Sequence, residues 1–381
     1  MKHPARLSAL AAAVMAATAS AAPFVALGDN AELFLTASVS VSVDDNIYLR
    51  SSGEVDDTIL RFVPGLDLVF GQNAATSGNV YYKHEFRKYT DVSKQDTDLA
   101  NVGVNSLYEN GKSKLDFGLS YAEAAQNEPS APGFIVDSNR TSLRAIGEFG
   151  ATEKTTFGGG VRFEKTNYDS ANLTDNDIWT VPLDVYFEYS PKLQASLGYR
   201  YRSTELRGSA IGSKDHFLNI GARGEFTPKL NGQIRFGYVT RKFDNGRDDS
   251  SLGADADLTY AATAKTAVRL GLSNDYGSAA TGASTKTTAF NAGLSTKVDE
   301  QWSWNVNLAY RAVDYSERSD DFFQGGIGVD YTYNSFVKFS GSFTRRSNRS
   351  DSKINTPVAI DRVRIFEFDN NVFAITADIR Y

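Results

Sequence analysis

Six arginines, Arg162, Arg200, Arg202, Arg223, Arg235 and Arg241, fall between residues 162 and 241, each in the polar phase of an alternating segment. Around Arg200 and Arg202, the residues Gln194, Ser196 and Gly198 alternate with Leu193, Ala195, Leu197, Tyr199 and Tyr201. Arg311 repeats the phase later in the chain, and the acids Asp184 and Glu188 stand among the six. Guanidinium groups spaced in this way can pair with acids to stiffen a wet wall, or present charge to a passing ion. Counting from the turns sets Arg162, Arg200 and Arg235 near one height on every second strand. Screening over ~8 Å at physiological salt confines any effect on permeation to a narrow lumen.

Other chemistry finds few residues to carry it. There are three histidines. His3 lies in the leader, His84 sits among Tyr82 and Phe86 in an apolar phase, and His216 ends a strand beside Asp215. Neither of the last two has a serine in matching phase, so the nucleophile, base and orienting group of a hydrolase are not assembled. Asp44-Asp45, Asp248-Asp249, Asp320-Asp321 and Asp175-Asn176-Asp177 offer oxygen ligands but lack EF-hand spacing. They read as solvated loop tips. Gly158-Gly159-Gly160 lies inside a strand and does not cradle phosphate. Zero cysteines exclude thiolate metal sites and disulfides. No catalytic residue, cofactor or metal is expected, and the net charge of -6 argues against nucleic acid.

The elements that hold these residues are β-strands. Phe373, Ile375, Ala377, Ile379 and Tyr381 alternate with Ala374, Thr376, Asp378 and Arg380, the period-2 pattern of a strand with one apolar face. The pattern recurs back to residue 31 in about 18 strands (16–18), among them 31–43, 57–70, 193–206, 230–243 and 301–315. Short connectors such as Glu109–Lys112, Ser190–Lys192 and Tyr333–Ser335 alternate with longer polar ones, including 44–56, 125–138, 276–285 and 348–369. Aromatics gather where strands meet the short turns: Phe70, Phe149, Tyr189, Phe226, Tyr260, Trp302, Trp304, Tyr333 and Tyr381. Rings at that height form a girdle at a lipid interface. Apolar-out, polar-in strands with short turns at one end describe an all-β, transmembrane, antiparallel up-and-down barrel of outer-membrane type. Strands 31–43 and 370–381 must pair to close it, since an open edge in hydrocarbon leaves backbone groups unsatisfied.

Lys2 and Arg6, a short apolar run from Leu7 to Thr18 and Ala19-Ser20-Ala21 make an export signal cleaved after Ala21. The organisation is then a signal peptide at 1–21, a short periplasmic segment at 22–30 and one barrel at 31–381. Outer-membrane lipid and lipopolysaccharide are the expected surroundings, and the assembly machinery is expected to read the terminal strand.

Val41-Ser-Val-Asp-Asp-Asn-Ile-Tyr48, followed by Asp56-Asp-Thr-Ile-Leu-Arg-Phe-Val-Pro-Gly-Leu-Asp67, resembles the putative β-barrel porin 2 family. The resemblance implies an outer-membrane pore or export-associated role, with polysaccharide-export components as partners, and supplies no catalytic residues. The reading is a passive, water-filled pore for polysaccharide or small sugars. Its rivals are a surface structural or adhesion barrel with a blocked lumen and, with less support, an outer-membrane hydrolase.

Overall fold

The computed structural model describes residues 22–128, 130–208, 210–353 and 364–381. The export signal expected at 1–21, His3 included, and part of the 348–369 connector lie outside the described residues. One sheet contains β1 (Val25–Leu27), β2 (Ala31–Asp44), β3 (Asp57–Phe70), β4 (Thr76–Tyr89), β5 (Thr97–Glu109), β6 (Ser113–Glu128) and β7 (Ala131–Gly150). It continues through β8 (Thr155–Tyr168), β9 (Asn176–Ser190), β10 (Leu193–Leu206), β11 (Ser213–Thr227), β12 (Leu230–Phe243) and β13 (Asp248–Ala261). It ends with β14 (Thr266–Ser278), β15 (Ser284–Lys297), β16 (Trp302–Asp314), β17 (Arg318–Thr332), β18 (Val337–Ser352) and β19 (Phe368–Arg380). Each strand pairs antiparallel with its sequence neighbours, and β2 pairs with β19 from Thr36↔Arg380 to Asp44↔Val372. Strands β2 to β19 thus close into an 18-stranded barrel. Closure removes the edges that hydrocarbon would leave unpaired.

The segment expected to be periplasmic, 22–30, is not wholly outside the wall. Val25–Leu27 pairs with Ala31–Leu33 on the edge of β2 that β19 leaves free.

The short turns share one device. Asn110, Thr152, Ser190, Thr227, Thr263, Asp299 and Asn334 each begin a turn, and a side-chain oxygen accepts the backbone N–H groups two and three residues on. Such Asx and Ser/Thr turns close a hairpin without requiring glycine. Asp299 owes its depressed carboxyl pKa to these bonds, from Trp302 first and then Gln301.

Outward faces are apolar: Leu197, Leu218, Ile220, Phe236, Leu308, Ile327 and Ile375 are all exposed on the wall. At the short-turn end Phe149, Tyr189, Tyr260, Trp302, Tyr333 and Tyr381 are exposed, while Phe70, Phe226 and Trp304 are partly covered. Trp302 stacks obliquely on Tyr331 at 4.7 Å between centroids, and Tyr381 lies 5.5 Å from Phe336. Pro64 pairs with Ala37 on β2, while the β3–β4 ladder skips Val63 and Pro64. A residue without an N–H has nothing to donate on that side.

The long-loop end departs from the expected pattern. The connector read at 125–138 is mostly strand, because β6 runs to Glu128 and β7 starts at Ala131. Likewise 276–285 shrinks, since β14 reaches Ser278 and β15 begins at Ser284, and β12 and β13 are joined by 244–247 alone. At these strand ends the alternation of apolar and polar residues fades while the backbone pairing continues. At the opposite end, β3 and β4 are joined by 71–75, as β4 begins at Thr76.

Candidate functional site

The inward phases line a polar lumen whose arginines are mostly engaged. Nearest the short turns, Arg223 on β11 reaches Glu148 on β7, four strands along the wall, through bonds of 2.6 and 2.8 Å. It also donates to Gln194 at 2.8 Å, and its guanidinium lies 3.3 Å over the Tyr186 ring. Tyr186 leans into space left by Gly158, where a Cβ would stand 3.0 Å from the ring. The glycine makes room for the aromatic that props the arginine. Asp184 and Glu188 line the same wall on β9, and Asp184 lies within electrostatic reach of Arg235 and Arg223.

At mid-height Arg235 pairs with Asp255 at 2.9 Å, and Arg144 on β7 pairs with Asp116 on β6 at 2.9 Å. Arg162 on β8 sits directly opposite Arg144 in the ladder. Among the described residues it makes no hydrogen bond or ion pair, and Arg235 and Arg144 are its first electrostatic neighbours.

Higher up, three arginines meet two aspartates. Arg200 bonds Asp275 at 2.7 Å; Arg202 bonds Asp215 at 2.5 Å and Asp275 at 3.0 Å; Arg241 bonds both oxygens of Asp215 at 2.7 and 2.8 Å. Asp275 belongs to β14, four strands from β10. It arrives because the end of the β14–β15 hairpin turns into the lumen. There Arg202 donates to Tyr276 O and Arg241 to Gly277 O, each at 2.6 Å, and Arg241 also reaches Ser284 Oγ at 2.9 Å. Tyr276 packs on Phe217 and Val239 inside the barrel.

A second hairpin leans in from the far side. The β5–β6 ladder stops at Asn101↔Ala122, beyond which β6 pairs with β7 alone. Arg87 takes the Ala125 carbonyl at 2.6 Å. Loop 45–56 meets this hairpin: Asn127 donates to Ile47 O at 2.7 Å and Gly133 N–H to Tyr48 O at 2.9 Å. The loop is set by the residues that carried the family resemblance. Asn46, wholly buried, donates to Arg50 O and Asp369 O and accepts from Arg50 N–H at 2.8–2.9 Å. Asp44 accepts from Asn46 N–H at 2.9 Å and from Asn370 at 2.5 Å. Asp57 accepts from Thr90, Asp91 and Val92 N–H groups and so pins the neighbouring 90–96 loop. Leu49, at φ 51°, is buried against Phe322 and Phe368, and Arg311 lies 4.4 Å over the Phe322 ring. The two hairpins meet where Val136, Leu173 and Ala280 cluster.

A cavity of about 770 Å³ remains beside the β14–β15 hairpin, lined by Arg207, Asn245, Arg247, Tyr276, Lys286 and Tyr315 among others. Burial holds the Tyr315 phenol protonated, its pKa pushed up to about 12. A second, of about 600 Å³, lies at the β5–β6 parting, beside Lys88, Asp96 and Glu123. Both histidines of the barrel lie in outward phases, each sharing a hydrogen bond with a tyrosine: His84 with Tyr82 at 3.0 Å and His216 with Tyr199 at 2.7 Å. Among the described residues no three His, Asp or Glu converge to hold a metal.

Sequence parity placed the arginines on their face but missed Arg144, Asp116, Glu148 and Asp275 as partners. The parity of Arg144 and Asp116 was readable; which strands approach across a lumen was not.

The family described as Putative beta-barrel porin 2 matches residues 22–359. The chain belongs to that family. It is accordingly a porin-like barrel of the outer membrane. No curated protein sequence matches it. Among solved structures, this porin is similar to OpdK of Pseudomonas aeruginosa with vanillate, at 10% identity and TM-score 0.49 over 93% of this chain and 100% of that one. It is also similar to Pseudomonas aeruginosa OccK2 (OpdF) in complex with glucuronate, at 13% identity and TM-score 0.48 over 92% and 98%. OccAB3 of Acinetobacter baumannii gives 10% and 0.48 over 93% and 100%.

Proposed function

We propose that this porin is a passive, water-filled channel for small hydrophilic solutes, and that Arg162 biases it toward anions. One observation carries the charge preference. Arg162 and Arg144 are directly opposed in the ladder, an arrangement that costs stability between like charges. Arg144 has a carboxylate partner and Arg162 has none among the described residues. A guanidinium facing the lumen without a direct carboxylate partner among the described residues supplies the field that a selective pore needs. Arg200, Arg223 and Arg235, by contrast, spend their charge on wall carboxylates.

Passage of a polysaccharide, the finer expectation, asks a polymer to thread a bore crossed by Arg223–Glu148 and overhung by two hairpins. Small solutes fit that description better. Purified protein in a planar bilayer, under a potassium chloride gradient, tests the reading. Arg162→Glu is expected to move the reversal potential toward cations by more than the double substitution of Arg200 and Arg235 by glutamate. An unmoved potential with conductance intact removes Arg162 as the selecting residue. A native protein that passes no current removes the channel.

A further inference from the structure

The β13–β14 ladder runs from Ala261↔Ala267 to Ala254↔Asn274 and ends there. Both strands go on. β13 remains paired with β12 as far as Asp248↔Lys242, and β14 remains paired with β15 as far as Ser278↔Ser284. The wall is therefore slit at its long-loop end, with an unpaired backbone edge on each side. Such edges are ready to accept a strand.

We propose that the outer part of the β14–β15 hairpin, Asp275–Thr285, is a gate that moves between the lumen and this slit. The proposal rests on the channel reading above for its effect on permeation, but not for the movement itself. In the inward position the arginines of β10 and β12 stand in for the missing ladder: Arg202 and Arg241 hold the carbonyls of Tyr276 and Gly277, and Arg200 and Arg202 hold Asp275. The tip is held by Thr174 N–H on Ala280 O at 2.7 Å. In the outward position the existing register continues without a bulge. Asp275 comes opposite Gly253, Tyr276 opposite Leu252, Gly277 opposite Ser251 and Ser278 opposite Ser250.

The side-chain phases suit both positions. Continued register puts Tyr276 in the outward phase of Leu270 and Leu272, beside Leu252 and Tyr238, which are already exposed on the outer wall. Aromatic rings are at home at that interface. Asp275 stays in the inward phase but gives up Arg200 and Arg202, which stand four strands away on β10. The continued register gives the β13 edge from Ser250 to Gly253 the ladder partners it now lacks. The cavity of about 770 Å³ beside the hairpin gives it room. Two alternative seats for one hairpin are the kind of bistable element on which gating depends.

The chain has no cysteine, so introduced pairs report without interference. Ser250→Cys with Ser278→Cys traps the hairpin in the slit, and Thr174→Cys with Ala280→Cys traps it over the lumen. Each full-length variant is purified, oxidised with copper phenanthroline and scored for the crosslink by peptide mass, then recorded in a planar bilayer before and after reduction. Both crosslinks are expected to form. Oxidation of the 174/280 pair is expected to cut conductance several-fold, reversibly with dithiothreitol, while the oxidised 250/278 pair holds the higher level. A 250/278 pair that stays unlinked while 174/280 goes to completion overturns the gate, whatever the currents. So does an oxidised 174/280 pair that conducts as its reduced form does. Two crosslinks without current in any state leave the hairpin exchange standing and fall on the channel reading alone.

Discussion

Arg241 and Asp215 face each other across β12 and β11 in a two-point bond, 2.7 and 2.8 Å, with both side chains about 1% exposed. A charge pair so far from water is stable as a pair and expensive to halve. Asp215→Asn or Arg241→Met alone is expected to cost about 3–5 kcal/mol, because one buried charge remains. The double variant, Asp215→Leu with Arg241→Met, should recover part of that loss, since Arg202 also gives up Asp215 and keeps Asp275. Urea unfolding in detergent, followed by the loss of gel heat-modifiability, measures all three. Additive single and double effects would mean that the two groups do not act on each other.

Asn46 and Asp57 are expected to hold loop 45–56 and loop 90–96 in place. Leaving a buried partner unsatisfied costs roughly 1–3 kcal/mol per group. Asn46→Ala should therefore expose the loop to protease in assembled barrels and raise single-channel conductance, with the barrel itself still resistant. Protease mapping by mass spectrometry decides it: an uncut loop at unchanged conductance shows that the apolar contacts of Ile47 and Leu49 suffice.

Topology has a direct test. Asn110, Glu153 and Asn334 stand in short turns, and Asn245 and Asp351 stand at the opposite end of the barrel. Short turns face the periplasm in outer-membrane barrels. Single cysteines at the five positions should react with an impermeant maleimide on whole cells at 245 and 351 only. Labelling at 110 or 334 instead would invert the barrel.

Acid should loosen one outer loop before the wall. Asp96 accepts the Tyr89 N–H and then a bond from Lys88, and both hold its carboxyl below the ordinary 3.8. A depressed carboxyl lends stability that is complete above that ordinary value and is lost as pH falls through the lower folded one. Amide exchange in 90–96 should therefore speed up below about pH 4, and Asp96→Asn should flatten that rise. Equal pH profiles for the two proteins would assign the loosening elsewhere.

Strand phase was the readable part of this chain. In β3, β10 and β12 the alternation fixes both boundaries and faces, because lipid on one side and water on the other enforce a period of two. It fails at Ala125–Asp137, where the hairpin packs on loops of its own barrel and no lipid enforces a period of two, although the backbone remains paired. The lumen partners were out of reach for another reason. Arg223 and Glu148 are 75 residues apart, and Arg200 and Asp275 likewise. Their meeting depends on how the wall curves and folds in, which parity along one strand does not encode. The Asp-Asn and Asp-Thr signature was visible as a resemblance, but its work in buttressing a loop emerges only from Asn46 and Asp57 in place.

Along β2 the partners run Leu27, Ala26 and Val25 against Ala31 to Leu33, and then Tyr381 and Arg380 against Leu35 and Thr36. Residue 24 and residue 381 therefore meet end to end, pointing the same way, with their rings 6.1 Å apart. Geometrically they are one strand with a missing peptide bond. The barrel is in this sense already circular, and its order of synthesis is a choice of where to cut. A permuted chain that joins Tyr381 directly to Phe24 and opens instead at the Ala151–Lys154 turn keeps every ladder intact, with no linker to accommodate.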